Sequence, residues 1–274
     1  MTDALLYSLI AGASVGLAAG YIGSLMVLKR MALVGDALSH VALPGLALGL
    51  LLHFNVFLGA FAFLFAAAVA TWYLEQATRL SVESIVGVLF VLALAIGILL
   101  TPEPDLLEAL FGDIALVTLE YALASVAVSL VVVGLTRLIY TQVVLSLVSD
   151  ELARSTGIRV SQVNFLYLLL VAVVVAAGLQ IVGTLLVGAL VIVPAAAMKN
   201  VSPSLTRYAI LSSATGVVSA VSGILISAAF SVPAGPLVVI VGFVIFLVAT
   251  LAHYVATRPR EPAAAARTQS PKGA

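Results

Sequence analysis

The chain is a succession of long uncharged runs separated by short charged stretches. A helix needs about 20 apolar residues to cross a bilayer, and these runs have that length. Residues 4–28, 31–52, 55–74, 84–102 and 120–139 each predict one crossing. No charge occurs from 160 to 198, which is long enough for two crossings with a break near Gly178–Gly183. None occurs from 208 to 257 either, so two more fit around the break at SVPAGP, residues 231–236. The expected fold is an all-α, polytopic membrane bundle of about eight or nine transmembrane helices, with nine as the best thread. Residues 1–257 form it as a single domain. The tail RPREPAAAARTQSPKGA, residues 258–274, is rich in Pro, Ala and charge and reads as a disordered end.

Composition agrees with this pattern. The chain is 63% hydrophobic and 9% charged, against about 25% charged in a soluble domain. It cannot cover a water-facing surface, and a multi-pass protein of the cytoplasmic membrane is the class that remains. Cysteine is absent, which removes disulfides, thiolate metal sites and thiol catalysis. No Walker A pattern is present, so any ATP chemistry must come from a partner.

Charge then orients the bundle. Threading nine spans puts all twelve Lys and Arg residues on one face. By the positive-inside rule that face is cytoplasmic. Asp3, Glu103, Asp105, Glu108, Asp113 and Glu120 fall on the other face with no basic residue among them. The N-terminus is therefore expected outside and the C-terminus inside. The first span has Asp3 and no basic residue ahead of it, so it reads as a retained helix and not as a signal peptide. Gly12, Gly16 and Gly20 on the first span, and Gly45 and Gly49 on the second, have the spacing that lets helix backbones approach in lipid. Packing within one subunit is the expected use.

Three stretches could carry function. In GDALSHVALPG, residues 35–45, Asp36 and His40 share one face if the segment is helical, with Cβ atoms about 6 Å apart. A carboxylate and an imidazole suit zinc, manganese or iron(II), and ionisable groups inside a span usually face a polar path. The spacing fits equally well an Asp36 helix cap and a hydrogen-bonded core His40. Pro44 and Gly45 should loosen the helix one turn further on and free backbone carbonyls near a path. In the longest basic-side connection, residues 146–165, Ser149 can cap a short helix with Asp150 and Glu151 in its first turn, Arg154 near its end and Gly157 stopping it. Such a helix is inert or a docking knob. The outer loop 101–121 carries Glu103, Asp105, Glu108 and Asp113, which would concentrate cations and attract a basic partner face.

Five segments, in order, resemble the membrane permeases of zinc- and manganese-type metal-ion ABC transporters. They are KRMALVGDALSHVALPGLALGLLL (29–52), LFGDIALV (110–117), SDELARSTGIRV (149–160), LQIVGTLLVGALVIVPAAAM (179–198) and VPAGPLVVIV (232–241). The resemblance implies a permease of the type II ABC importer kind, which is not itself an enzyme. It implies two permease copies as a homodimer, a pair of cytoplasmic ABC ATPases that hold the ATP, and an extracytoplasmic metal-binding protein. It implies no nucleic acid and no permanently bound cofactor, only transported Zn2+ or Mn2+. It further implies that Asp36 and His40 bind the ion along the path. The segment from Ser149 through Gly157 would couple to the ATPase. One departure is that no acidic residue precedes Val232, where relatives often have Asp, so a ligand role for that loop has no support. From other classes, an ion-coupled secondary transporter would use the same Asp–His pair without an ATPase. A membrane scaffold would use it as a packing cluster.

Overall fold

The computed structural model describes residues 2–100, 110–112, 117–184 and 186–257. These residues form helices and no strands. In chain order they are α1 (Thr2–Leu28), α2 (Ala32–Val41), α3 (Leu43–Leu51), α4 (Val56–Ala77), α5 (Val82–Leu100), α6 (Leu119–Val148), α7 (Asp150–Ser155), α8 (Val160–Val182), α9 (Val187–Lys199), α10 (Leu205–Phe230) and α11 (Ala234–Thr257). Eight segments among the described residues are long and apolar enough to cross a membrane, with α2 and α3 together forming one of them. The tail 258–274 and the acidic residues Glu103, Asp105, Glu108 and Asp113 lie outside the described residues.

Two predicted spans take a finer form. The ninth crossing expected from the run 160–198 is α9, whose 13 residues reach only about 20 Å at the helical rise of 1.5 Å. Hydropathy could not see this, because the break at Gly183–Leu186 is as uncharged as its surroundings. Gly183 has φ +79°, a left-handed conformation that ends α8 and that residues with a Cβ rarely adopt. The second span is divided at Ala42 into α2 and α3. Pro44 has no N–H to give the His40 carbonyl, so the regular ladder fails one turn before it.

The core is built on α1. Ala11, Val15, Ala18, Ala19, Ile22, Leu25 and Met26 are buried on it, and it packs against α6, α8, α9 and α10. Gly12, Gly16 and Gly20 face α10. A Cβ on Gly16 would lie 2.5 Å from the Gly216 carbonyl oxygen, and one on Gly20 would strike the Ser212 backbone. Gly45 and Gly59 oppose each other in the same way where α3 crosses α4. The glycine spacing therefore serves packing within the subunit, as expected. Without a hydrophobic drive between helices in lipid, such close backbone contact is a main source of cohesion.

At one end of the bundle, Trp72 Nε1 donates to Ser161 Oγ at 2.9 Å and Lys29 Nζ to Asn164 Oδ1 at 2.8 Å. Leu28, Lys199 and Leu205 meet at the same end. At the opposite end, Leu110 and Phe111 pack against Gly183, while Gly235 sits against Val182 and Phe111. The helix ends are thus gathered as the charge threading requires.

Replacing Gly16 with Leu should lower the apparent melting temperature of the purified protein, consistent with the overpacking cost of about 1–3 kcal/mol. Gly87 has nothing within 4 Å of its would-be Cβ, so Gly87→Leu should leave the melting temperature unchanged. A thermal-shift comparison of the two checks the α1–α10 contact.

Candidate metal site

Asp36 and His40 both sit on α2, one turn apart and half-buried. The helix begins at Ala32, its N-cap is Met31, and no side chain caps it. Asp36 is the fifth residue of the helix, too far along to serve as its cap. His40 is not a bonded core residue either. Its Nδ1 is buried without a hydrogen-bond partner among the described residues. The ring is held by a tilted contact with Phe90 of α5, with centroids 5.3 Å apart. Both structural alternatives left open by the spacing therefore fail. What remains is a carboxylate and a free imidazole nitrogen on one helical face, one turn apart.

The half-length helix α9 begins against this face. A Cβ on Gly188 would lie 2.6 Å from the Asp36 Cα and 2.8 Å from its Oδ1. Only the absence of a side chain lets α9 approach so closely. Gly188 is in the first turn of α9, where backbone N–H groups have no intrahelical acceptor. Gly188 and Phe90 are the residues that sequence reasoning missed. The signal for Gly188 was its place just after the Gly183 break, in LLVGALV. Phe90 gave no signal, because an aromatic residue within an apolar span is ordinary.

Pro44 and Gly45 are both buried at the start of α3. Pro44 marks the helix break, whereas Gly45 is a packing contact with Gly59. Among the described residues no three His, Cys, Asp or Glu side chains come together in a way that could hold a metal. Among the described residues the candidate donors are thus the Asp36 and His40 side chains.

The segment after α6 folds as its sequence predicts. Ser149 Oγ accepts from the Leu152 N–H at 3.2 Å, which caps α7. Asp150 and Glu151 occupy its first turn and Arg154 its last. Gly157, at φ +84°, ends it through two bonds. Its own N–H reaches the Arg154 carbonyl at 3.0 Å, and the Ile158 N–H reaches the Ala153 carbonyl at 3.1 Å. This pairing is the Schellman motif, which seats glycine in the left-handed position. Ala153 is buried against the bundle, while Glu151, Leu152 and Arg154 are exposed.

Comparison with known proteins agrees with this architecture. The chain is 33% identical over 248 residues to the manganese transport system membrane protein MntC of Listeria monocytogenes, covering 89% of each chain. It is 31% identical over 257 residues to the high-affinity zinc uptake system membrane protein ZnuB of Haemophilus influenzae, covering 90% of this chain and 97% of that one. Among solved structures, PsaBC from Streptococcus pneumoniae in complex with Fab superposes with a TM-score of 0.79 at 31% identity, covering 89% of this chain and 90% of that one. The pattern of the ABC 3 transport family matches residues 1–253, which takes in every described transmembrane helix apart from the last four residues of α11. This chain belongs to the ABC 3 transport family.

Proposed function

We propose that the chain is the permease subunit of an ATP-driven importer for a divalent transition-metal ion, manganese or zinc. The observation that carries the reading is the free His40 Nδ1 one turn from Asp36, on a helix pressed against the start of α9. Carboxylate and imidazole donors suit Mn2+, Zn2+ and Fe2+ alike. The names of the relatives favour the first two. Family membership speaks against an ion-coupled carrier or a scaffold.

One chain offers two donors, so a second copy completes the site. Two copies related by a twofold axis would bring two Asp36 and two His40 side chains to the path. Four oxygen and nitrogen donors are enough for a tetrahedral zinc and leave room for water on a larger shell. Each pair alone binds loosely, which suits a site that must release its ion. The Lys- and Arg-bearing end is cytoplasmic by the positive-inside rule, which puts the N-terminus outside. There α7 would dock a pair of ABC ATPases through Glu151, Leu152 and Arg154. A metal-loaded extracytoplasmic protein would dock on the opposite face, where the acidic loop 101–121 would attract it.

Asp36→Ala and His40→Ala should each reduce metal uptake by about tenfold or more, since losing even an outer-shell partner costs 10–100-fold. Cellular manganese and zinc, measured with membrane insertion confirmed, check this; wild-type uptake in both variants would sink the ligand role. Gly188→Val should give a similar loss by forcing α9 away from Asp36, while leaving membrane insertion intact. Paired substitution of Glu151 and Arg154 should weaken co-purification of the cognate ATPase, and undiminished recovery would remove those contacts from the interface.

A further inference from the structure

The helix that carries Asp36 and His40 is covered on most of its circumference. Within the subunit α2 packs against α1, α4, α5, α8 and α9. Val34, Gly35, Leu38, Ser39 and Val41 are buried in it. One narrow face stays open. It holds Leu33, Asp36, Ala37 and His40, the last three half-buried. Leu33 is 78% exposed, and no other large apolar residue of α2 is exposed.

An exposed leucine in a membrane bundle ordinarily meets lipid. The neighbours of Leu33 on its own face argue against lipid here. At 3.6 residues per turn, positions 33 and 40 are about 20° apart around the helix, and position 36 is about 60° from 33. A carboxylate and an imidazole within a span face the bundle interior or a polar path, because hydrocarbon is too costly for them. Leu33 shares their outlook and therefore opens on the same space. Its level matters as much as its face. α2 begins at Ala32, directly after the corner that holds Lys29 and Arg30. At a rise of 1.5 Å per residue, Leu33 lies about 4.5 Å from Asp36 and about 10 Å from His40 along the axis, on the side of that basic corner. By the positive-inside rule this is the cytoplasmic side of the two ligands.

We infer that Leu33 is the inner seal of the ion path. The occupant of the open face of α2 is the same face of a second copy, and the two Leu33 side chains close an apolar constriction just beneath Asp36 and His40. This inference rests on the proposed metal path between two copies of the chain. An ion entering the constriction would surrender water to groups that offer nothing in exchange. Hydrophobic constrictions also gate by losing their own water. Opening requires only that the two side chains part, with no ion pair to break.

Because Leu33 lies outside the packed core, its replacement removes nothing that holds the subunit together. The complex of permease and ATPase is reconstituted in liposomes that enclose a manganese-quenched fluorophore, and Mn2+ entry is followed without ATP. Leu33→Ala should raise this passive entry by about tenfold, equivalent to about 1.4 kcal/mol off the barrier, and Leu33→Ser should raise it at least as much. Leu33→Met, which keeps the apolar bulk, should stay at the parent rate. So should Leu138→Ala, which alters a leucine of α6 that is 73% exposed. Entry in both Leu33→Ala and Leu33→Ser no faster than in Leu138→Ala overturns the inference. The second arm is independent of transport. The chain has no cysteine, so Leu33→Cys introduces a single thiol. A short bismaleimide should join two such copies into a covalent dimer in the resting complex, and recovery of monomer alone overturns the placement of Leu33 at the constriction. Failure of the metal reading itself is seen separately, as wild-type cellular metal content in Asp36→Ala and His40→Ala.

Discussion

A backbone in lipid must satisfy its own hydrogen bonds, and that constraint governs where this bundle can break. A helix end at membrane depth is tolerable only when protein covers it. The break between α8 and α9 meets the condition. Gly183 donates back to the Leu179 carbonyl at 2.8 Å, and Val187 donates to the Gly183 carbonyl at 3.2 Å. Leu110, Phe111 and Gly235 close over the same turn. Leu110 and Phe111, Val182 and Gly183, and Gly235, from three of the five quoted segments, thus meet around one covered break. Their distance in sequence hides that they are one structural unit.

That covered break is what brings α9 to Asp36. A continuous helix would have put ordinary side chains beside α2. A half-length helix puts its first turn there, and Gly188 removes the last steric barrier. The proposed site is therefore flanked by two interruptions, one at Gly183 and one at Ala42. The first brings the start of α9 against Asp36, and the second separates α2 from α3 at Ala42. The apolar surroundings serve the same end. A lone imidazole nitrogen without a partner is costly in such a place, which is the observation that supports the proposed ligand role of His40.

Much of this was legible in the chain. Uncharged runs marked the long helices, and the distribution of Lys and Arg marked the common end. Ser149, Asp150, Arg154 and Gly157 spelled out α7 to the residue, because caps and the left-handed stop are local chemistry. The i, i+4 spacing of Asp36 and His40 raised the site without deciding it. What supports it is tertiary. Whether His40 finds a hydrogen-bond partner depends on α5 and α9, and no local pattern records that. The shortness of α9 was hidden for a different reason. Hydropathy averages over a window longer than the Gly183–Leu186 turn, so two helices of unequal length read as two equal spans. Lys29 was read only as a topological charge, since its hydrogen-bond acceptor Asn164 and the Tyr167 ring come from α8.

The donor set also limits where selectivity can reside. In the proposed site, one carboxylate and one imidazole per chain would bind first-row divalent ions in the general order of their intrinsic affinities, and that order favours zinc over manganese. A site built from these groups cannot by itself prefer manganese. Relatives named for manganese and for zinc share this family, which fits a path whose ligands are permissive. Discrimination must then come from geometry around the ligands or from the protein that delivers the ion. Within this chain the geometric control lies in the approach of α9 to α2, set by Gly188. Residues that touch no metal would then tune the ion's environment more finely than a change of ligand could, because they alter the separation of the donors while keeping their chemistry.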